Sequence, residues 1–103
     1  MKLIDLNKDK LVELCEQHKV KDLYLFGSAL SEDFKESSDI DLLIQFYQVD
    51  LMEYFDNYMD LKEKLEVLFK RRVDLVEHQV IKNPIFRRVV DREKQLVYER
   101  KSS

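Results

Sequence analysis

One glycine and one proline in 103 residues constrain this chain more than any other feature. Tight hairpins need residues that accept positive φ, so a chain this poor in them is not built as a many-turned all-β fold. Disordered chains are also rich in Pro and Gly. Here 45% of residues are apolar and 38% charged, as in a small globular domain. The length suits a single domain, residues 1–103, with one modest core.

The lone glycine, Gly27, ends an apolar run, "DLYLF", which reads as a strand from Asp22 to Phe26. Before it, Leu11, Leu14, Cys15 and His18 recur at helical spacing, predicting a helix from an Asn7 cap to about Lys19. After it come a polar connection from Ser28 to about Ser38, able to hold a helical turn, and a central strand, "DIDLLIQF", Asp39 to Phe46. Leu51, Phe55, Tyr58, Leu61, Leu65 and Leu68 predict a long helix, roughly Leu51 to Lys70, with Phe55 and Tyr58 in the core. "RVDLVE", Arg72 to Glu77, reads as a further strand. Asn83 and Pro84 then open a helix as N-cap and first residue. "LVYE" closes the chain as a short strand or an extended end. The expected class is α/β in the α+β sense: a small mixed sheet with helices packed on it.

Two carboxylates interrupt the central strand. Asp39, Asp41 and Leu43 point to one face, and the apolar Ile40, Leu42 and Ile44 to the other. Residues two apart lie about 6.5–7 Å apart at their α-carbons, so the acid oxygens can converge. Such anions repel unless a cation lies between them, and a hard divalent cation takes oxygen ligands. Asp74 alternates with Val73 and Leu75 and joins the same face if its strand lies beside the first. Asp74 could also accept the proton of an attacking hydroxyl. Taken alone, an Asp-x-Asp at a strand start also fits a solvated strand end without chemistry. Gly27 and Ser28, between a strand and a helical turn, could cradle phosphate oxygens. They equally fit a plain turn.

The combination is more specific than its parts. "GSALSEDFKESSDIDLLI" resembles the G-S-x(10)-D-x-D signature of the nucleotidyltransferase superfamily related to DNA polymerase β. "SDIDLLI", "VDLVE" and the tail "NPIFRRVVDREKQLVYE" look like its minimal branch, the MNT proteins. The resemblance spans Leu23 to Glu99. It implies the polymerase β-like nucleotidyltransferase fold. It implies that Gly27 and Ser28 hold the nucleotide phosphates, that Asp39, Asp41 and Asp74 bind Mg²⁺, with two ions in the site, and that Asp74 is the general base. It implies ATP as substrate and transfer of AMP to a hydroxyl, a tyrosine of a partner HEPN-domain toxin, so that the chain is an antitoxin. The loop "ALSEDF" departs from many minimal members, which carry an arginine and a further glycine there. A non-catalytic module that neutralises its partner by complex formation is the alternative.

The remaining features set limits. A formal net charge of −3 shows no basic surplus of the kind that marks nucleic-acid binding, although Lys70, Arg71, Arg72, Lys82, Arg87, Arg88, Arg92 and Lys94 gather toward the C-terminus. No apolar run is long enough to span a membrane, and "MKLIDLNKDK" has no signal-peptide core, so the expected location is the cytoplasm. Cys15 has no internal partner and reads as a buried thiol. His18 reads as a partly buried helix residue and His78 as a loop residue, with a place at the mouth of the site as the alternative. An aromatic strip left exposed on the long helix would dock a helical partner.

Overall fold

The computed structural model describes residues 2–27 and 39–100. The element order is α1 (Lys2–Leu6), α2 (Lys8–Gln17), β1 (Val20–Phe26), β2 (Ile40–Phe46), α3 (Leu51–Phe69), β3 (Val73–Glu77), a 3-10 turn (His78–Val80), α4 (Pro84–Glu93) and β4 (Gln95–Glu99). The four strands form one mixed sheet in the order β3-β2-β1-β4. β1 is antiparallel to both its neighbours, and β2 runs parallel to β3. A parallel pair cannot be joined by a tight turn, and α3 supplies the long crossover that it needs.

Period-two alternation divides the sheet into two faces. Leu23, Leu25, Ile40, Leu42, Ile44, Val73 and Leu75 build the main core with α2 and α3, through Leu11, Leu14, Cys15, Leu61, Leu65 and Phe69. On the other face Phe26 and Leu43 form a smaller cluster with Ile81 and with Val90 of α4, beside Tyr24 and Val76. This second face also carries the aspartates.

Local chemistry explains the boundaries. Asn83 caps α4 as expected: its side chain accepts from the N–H groups of Ile85 at 2.9 Å and Phe86 at 3.2 Å. Asn7 precedes α2, but its side-chain amide donates back to the Leu3 carbonyl at 2.8 Å. It thereby closes the additional helix α1, which the expectation of a start at Asn7 omitted. α3 ends at Lys70, which adopts the left-handed conformation (φ 56°), and Lys19 (φ 58°) turns α2 into β1. His18 is buried under α3. Its ring meets the Leu14 carbonyl and the Asp60 carboxylate, each at 2.7 Å, and its own carbonyl accepts from Asn57 at 2.9 Å.

One core assignment is corrected. Phe55 is 69% exposed, and Tyr54 takes the inward place. The Tyr54 ring meets Phe46 edge-on at 5.7 Å, and its hydroxyl donates to the Glu77 carboxylate. Neighbouring helix positions point about 100° apart, so only one of the two aromatics can face the sheet. The tyrosine finds an acceptor at the end of β3, where a phenylalanine would bury no polar partner. Tyr58 is half-buried as part of the same stripe, and its hydroxyl donates to the Leu75 carbonyl.

Candidate active site

Sheet register decides which of the marked residues meet. Phe26 pairs with Asp41 across the antiparallel β1–β2 ladder, and Asp41 pairs with Asp74 across the parallel β2–β3 ladder. One row of the sheet therefore runs from the end of β1 through Asp41 to Asp74. Asp39 stands two residues before Asp41 and shares its face by alternation. Asp41 is half-buried, whereas Asp39 and Asp74 are exposed. The acids thus line one end of the sheet, at the start of β2 and β3.

Gly27 is shaped around this row. Its φ is 70°, and a β-carbon built there would lie 2.5 Å from Oδ2 of Asp41. The missing side chain is the space that the Asp41 carboxylate occupies. The sole glycine is therefore required twice, by backbone conformation and by close approach of a carboxylate. Ser28, assigned to the phosphate loop with Gly27, lies outside the described residues, as do the other positions of "ALSEDF".

One of the cations that precede β3 now has a place in the register. The Arg72 carbonyl accepts the Ile40 N–H at 3.0 Å, which continues the β2–β3 register by one residue and sets Arg72 beside Asp39. Arg72 alternates onto the face of Asp74, next to a corner of the acid row. The field of the acids reaches α3: burial first, and then the charges of Asp74 and Glu77, push the Tyr58 hydroxyl above its ordinary value.

The donor set is all oxygen, which matches a hard cation such as Mg²⁺. Among the described residues, no three His, Cys, Asp or Glu side chains are gathered into a ready-made cage. The aspartates form a row of donors on one face. Like charges on neighbouring strands repel, and a cation is what would draw such a set together.

His78 is not part of the row. It opens the 3-10 turn at the far end of β3, four residues past Asp74, or about 13 Å along a strand. It ties α4 to the sheet: Nε2 lies 3.0 Å from the Asp91 carboxylate and Nδ1 lies 3.2 Å from an Arg87 nitrogen. Arginine only donates, so Nδ1 accepts and Nε2–H donates to Asp91. Cys15 is an inert core residue, its thiol pushed up to about 12 chiefly by burial. Sequence periodicity missed the tyrosine hydroxyls that reach β3. The available signal was the i, i+4 pair Tyr54 and Tyr58, one turn ahead of Leu61 and Leu65.

With this arrangement in view, comparison with known proteins is decisive. The family model for polymerase beta nucleotidyltransferases matches residues 9–103. The chain belongs to that family. This nucleotidyltransferase is 37% identical to a Methanocaldococcus jannaschii chain provisionally named a protein adenylyltransferase, over 90% of its own length and 89% of the other. It is 35% identical to the protein adenylyltransferase MntA of Thermococcus cleftensis, over 84% and 81%. Among solved structures, one provisionally described as a minimal nucleotidyltransferase superposes with a TM-score of 0.74 at 29% identity, covering 91% of this chain and 92% of that one. A chain from a complex of a tri-AMPylated Shewanella oneidensis HEPN toxin with its MNT antitoxin shares the fold, with a TM-score of 0.62, 23% identity, and 94% and 73% coverage. The fold of this nucleotidyltransferase is thus the minimal one implied by the resemblance of "SDIDLLI", "VDLVE" and the tail to the minimal branch. No helix among its described residues is long and apolar enough to cross a membrane.

Proposed function

We propose that this nucleotidyltransferase transfers AMP from ATP to a hydroxyl of a partner HEPN-domain toxin, with a tyrosine as acceptor, and thereby acts as its antitoxin. The observation that carries the reading is the row in which Asp41 and Asp74 pair on adjacent strands, with Gly27, just past the end of β1, making room for the Asp41 carboxylate. The names of the relatives and the AMPylated toxin in a structural neighbour favour a protein acceptor.

In this reading the triphosphate lies along the end of the sheet, against Gly27 and Ser28. Asp39, Asp41 and Asp74 would hold two Mg²⁺ ions. Bound Mg²⁺ would supply the positive charge that stabilises the α-phosphate and the departing pyrophosphate. The acceptor oxygen attacks the α-phosphorus, and the bond from that phosphorus to the bridging oxygen breaks. Pyrophosphate leaves with that oxygen, and Asp74 takes the hydroxyl proton. Arg72, whose backbone continues the β2–β3 register beside Asp39, would add positive charge at this end of the sheet.

The test is intact mass of the proposed HEPN-domain partner after incubation with the chain, ATP and Mg²⁺. A gain of one or more adenylyl groups is expected. Asp41→Asn and Asp39→Asn should abolish the gain while leaving thermal unfolding close to wild type. A firmly bound partner of unchanged mass would instead favour neutralisation by complex formation alone.

A further inference from the structure

We infer that the outer face of α4 is the docking surface for the acceptor protein, and that this partner presents an apolar patch with an acidic rim. The inference rests on the transfer reading of the acid row and adds to it the route by which the acceptor arrives.

α4 is amphipathic, yet only Val90 is buried. Ile85, Phe86 and Val89 are 75%, 49% and 36% exposed. A helix laid on a sheet ordinarily turns such residues inward. Here Ile85 and Val89, one turn apart, form a stripe facing away from the sheet, and Phe86 extends it toward Val90. Arg88 and Arg92 run parallel to the stripe at the same spacing. A contiguous apolar surface of this kind, edged by arginine, is the composition of a protein interface, where apolar residues and arginine carry the energy.

Position selects this surface over its rival. Val90 shares its cluster with Phe26, the register partner of Asp41, and with Leu43, two residues beyond Asp41. Lys94, just past α4, lies over the Tyr24 ring at 4.3 Å. α4 therefore covers the same face of the sheet that carries Asp41 and Asp74, and a protein seated on it stands beside the reacting end. The second exposed strip, Leu51, Met52, Phe55 and Met59, belongs to α3, on the opposite face. A partner held there has the whole sheet between itself and the acids.

Charge sets the partner's chemistry. Residues 82–94 carry Lys82, Arg87, Arg88, Arg92 and Lys94 against Asp91 and Glu93, in a chain of net charge −3. Asp91 is already engaged by His78 and Lys94, and Glu93 lies 3.8 Å from Arg92. Five cations against two acids still leave the segment net positive around its aliphatic stripe. Phosphate backbones call for cations without that stripe, whereas an acidic-rimmed apolar surface fits both parts.

The experiment measures binding of the proposed HEPN-domain partner by calorimetry, separately from transfer. The paired variants Ile85→Glu with Val89→Glu, and Arg88→Glu with Arg92→Glu, should each loosen the complex about tenfold or more. Wild-type affinity should fall as salt rises. The control pair Met52→Glu with Phe55→Glu should bind as wild type, and all three pairs should keep the thermal shift given by Mg²⁺ and ATP. Unchanged affinity in both α4 pairs overturns the proposal. So does loss in the α3 pair alone, or an α4-dependent dimer of the chain, or RNA that competes for α4. Asp41→Asn separates the two readings, since it should bind normally and transfer nothing. Should wild type transfer nothing while the α4 pairs still lose binding, the surface stands and the transfer reading falls.

Discussion

At the scale of single residues, Gly27 and Asp41 form one unit. A β-carbon at position 27 would stand 2.5 Å from the Asp41 oxygen, far inside contact distance. Gly27→Ala must therefore displace the Asp41 carboxylate or the end of β1. The left-handed backbone adds about 1–2 kcal/mol for an L-residue, partly offset by about 0.5–1 kcal/mol from a less flexible unfolded chain. The expected stability loss is about 1 kcal/mol, but misplacing a positioned group by about 1 Å can cost on the order of a hundredfold in rate. Gly27→Ala should then fold, unfold at a slightly lower temperature, and transfer about a hundredfold more slowly in single turnover. Wild-type turnover in this variant would mean that the room beside Asp41 is irrelevant to the chemistry. The sequence made the glycine legible as the end of a strand and a candidate phosphate loop. Its clearance for Asp41 was not legible, because that contact depends on the register between β1 and β2, which local pattern does not fix.

At the scale of elements, α3 does more than cover the core. β3 is an edge strand, and an open edge is a template for pairing with other chains. α3 occupies that edge with side chains: Glu66 accepts the Val73 N–H at 3.0 Å, Tyr58 donates to the Leu75 carbonyl, and Tyr54 donates to Glu77. Tyr58→Phe should cost about 0.5–1.5 kcal/mol in urea unfolding, the usual worth of one such bond. Phe55→Ser, one turn away on the solvent side, should change stability by no more than about 0.5 kcal/mol. Equal effects at the two positions would contradict the assignment of Tyr58 as the edge cap. This pair also shows where sequence reading ran short. Helical spacing marked α3 and its stripe through Tyr58, Leu61 and Leu65 correctly, since burial of that period dominates a long helix. At its first turns the stripe could pass through Phe55 or Tyr54, and hydrophobicity favoured Phe55. The deciding factor was an acceptor on a strand 23 residues later in the chain, which no local window contains. The strands, by contrast, were legible to within one or two residues, β2 because its run is mostly apolar and β3 because its acid alternates with aliphatic side chains.

At the scale of the molecule, one sheet is held between two layers, and each layer has a histidine–carboxylate tie. On the main-core side His18 of the α2 terminus meets Asp60 of α3, which Lys64 also contacts at 2.8 Å. On the acid side His78 meets Asp91 of α4, with Lys94 at 3.1 Å. The Lys64 and His18 bonds hold the Asp60 carboxyl below its ordinary 3.8, and the His78 and Lys94 bonds do the same for Asp91. A carboxyl lowered in the folded state stabilises the fold above its unfolded value, and that contribution is lost as pH falls through the folded value. Asp22 opposes this: burial raises its carboxyl, so its share of stability diminishes as pH rises. Two lowered groups against one raised group predict a net loss of stability in acid, with both layers loosening over the same range, from about pH 4 downward. The urea midpoint should fall over that range. Asp60→Asn and Asp91→Asn should each lower it at pH 7 and flatten its dependence on pH, as loss of a titrating tie requires. Both sites are open to water, so added salt should shrink the effect. A midpoint that rises on acidification would show that Asp22 dominates, and that the two ties do not hold the layers together.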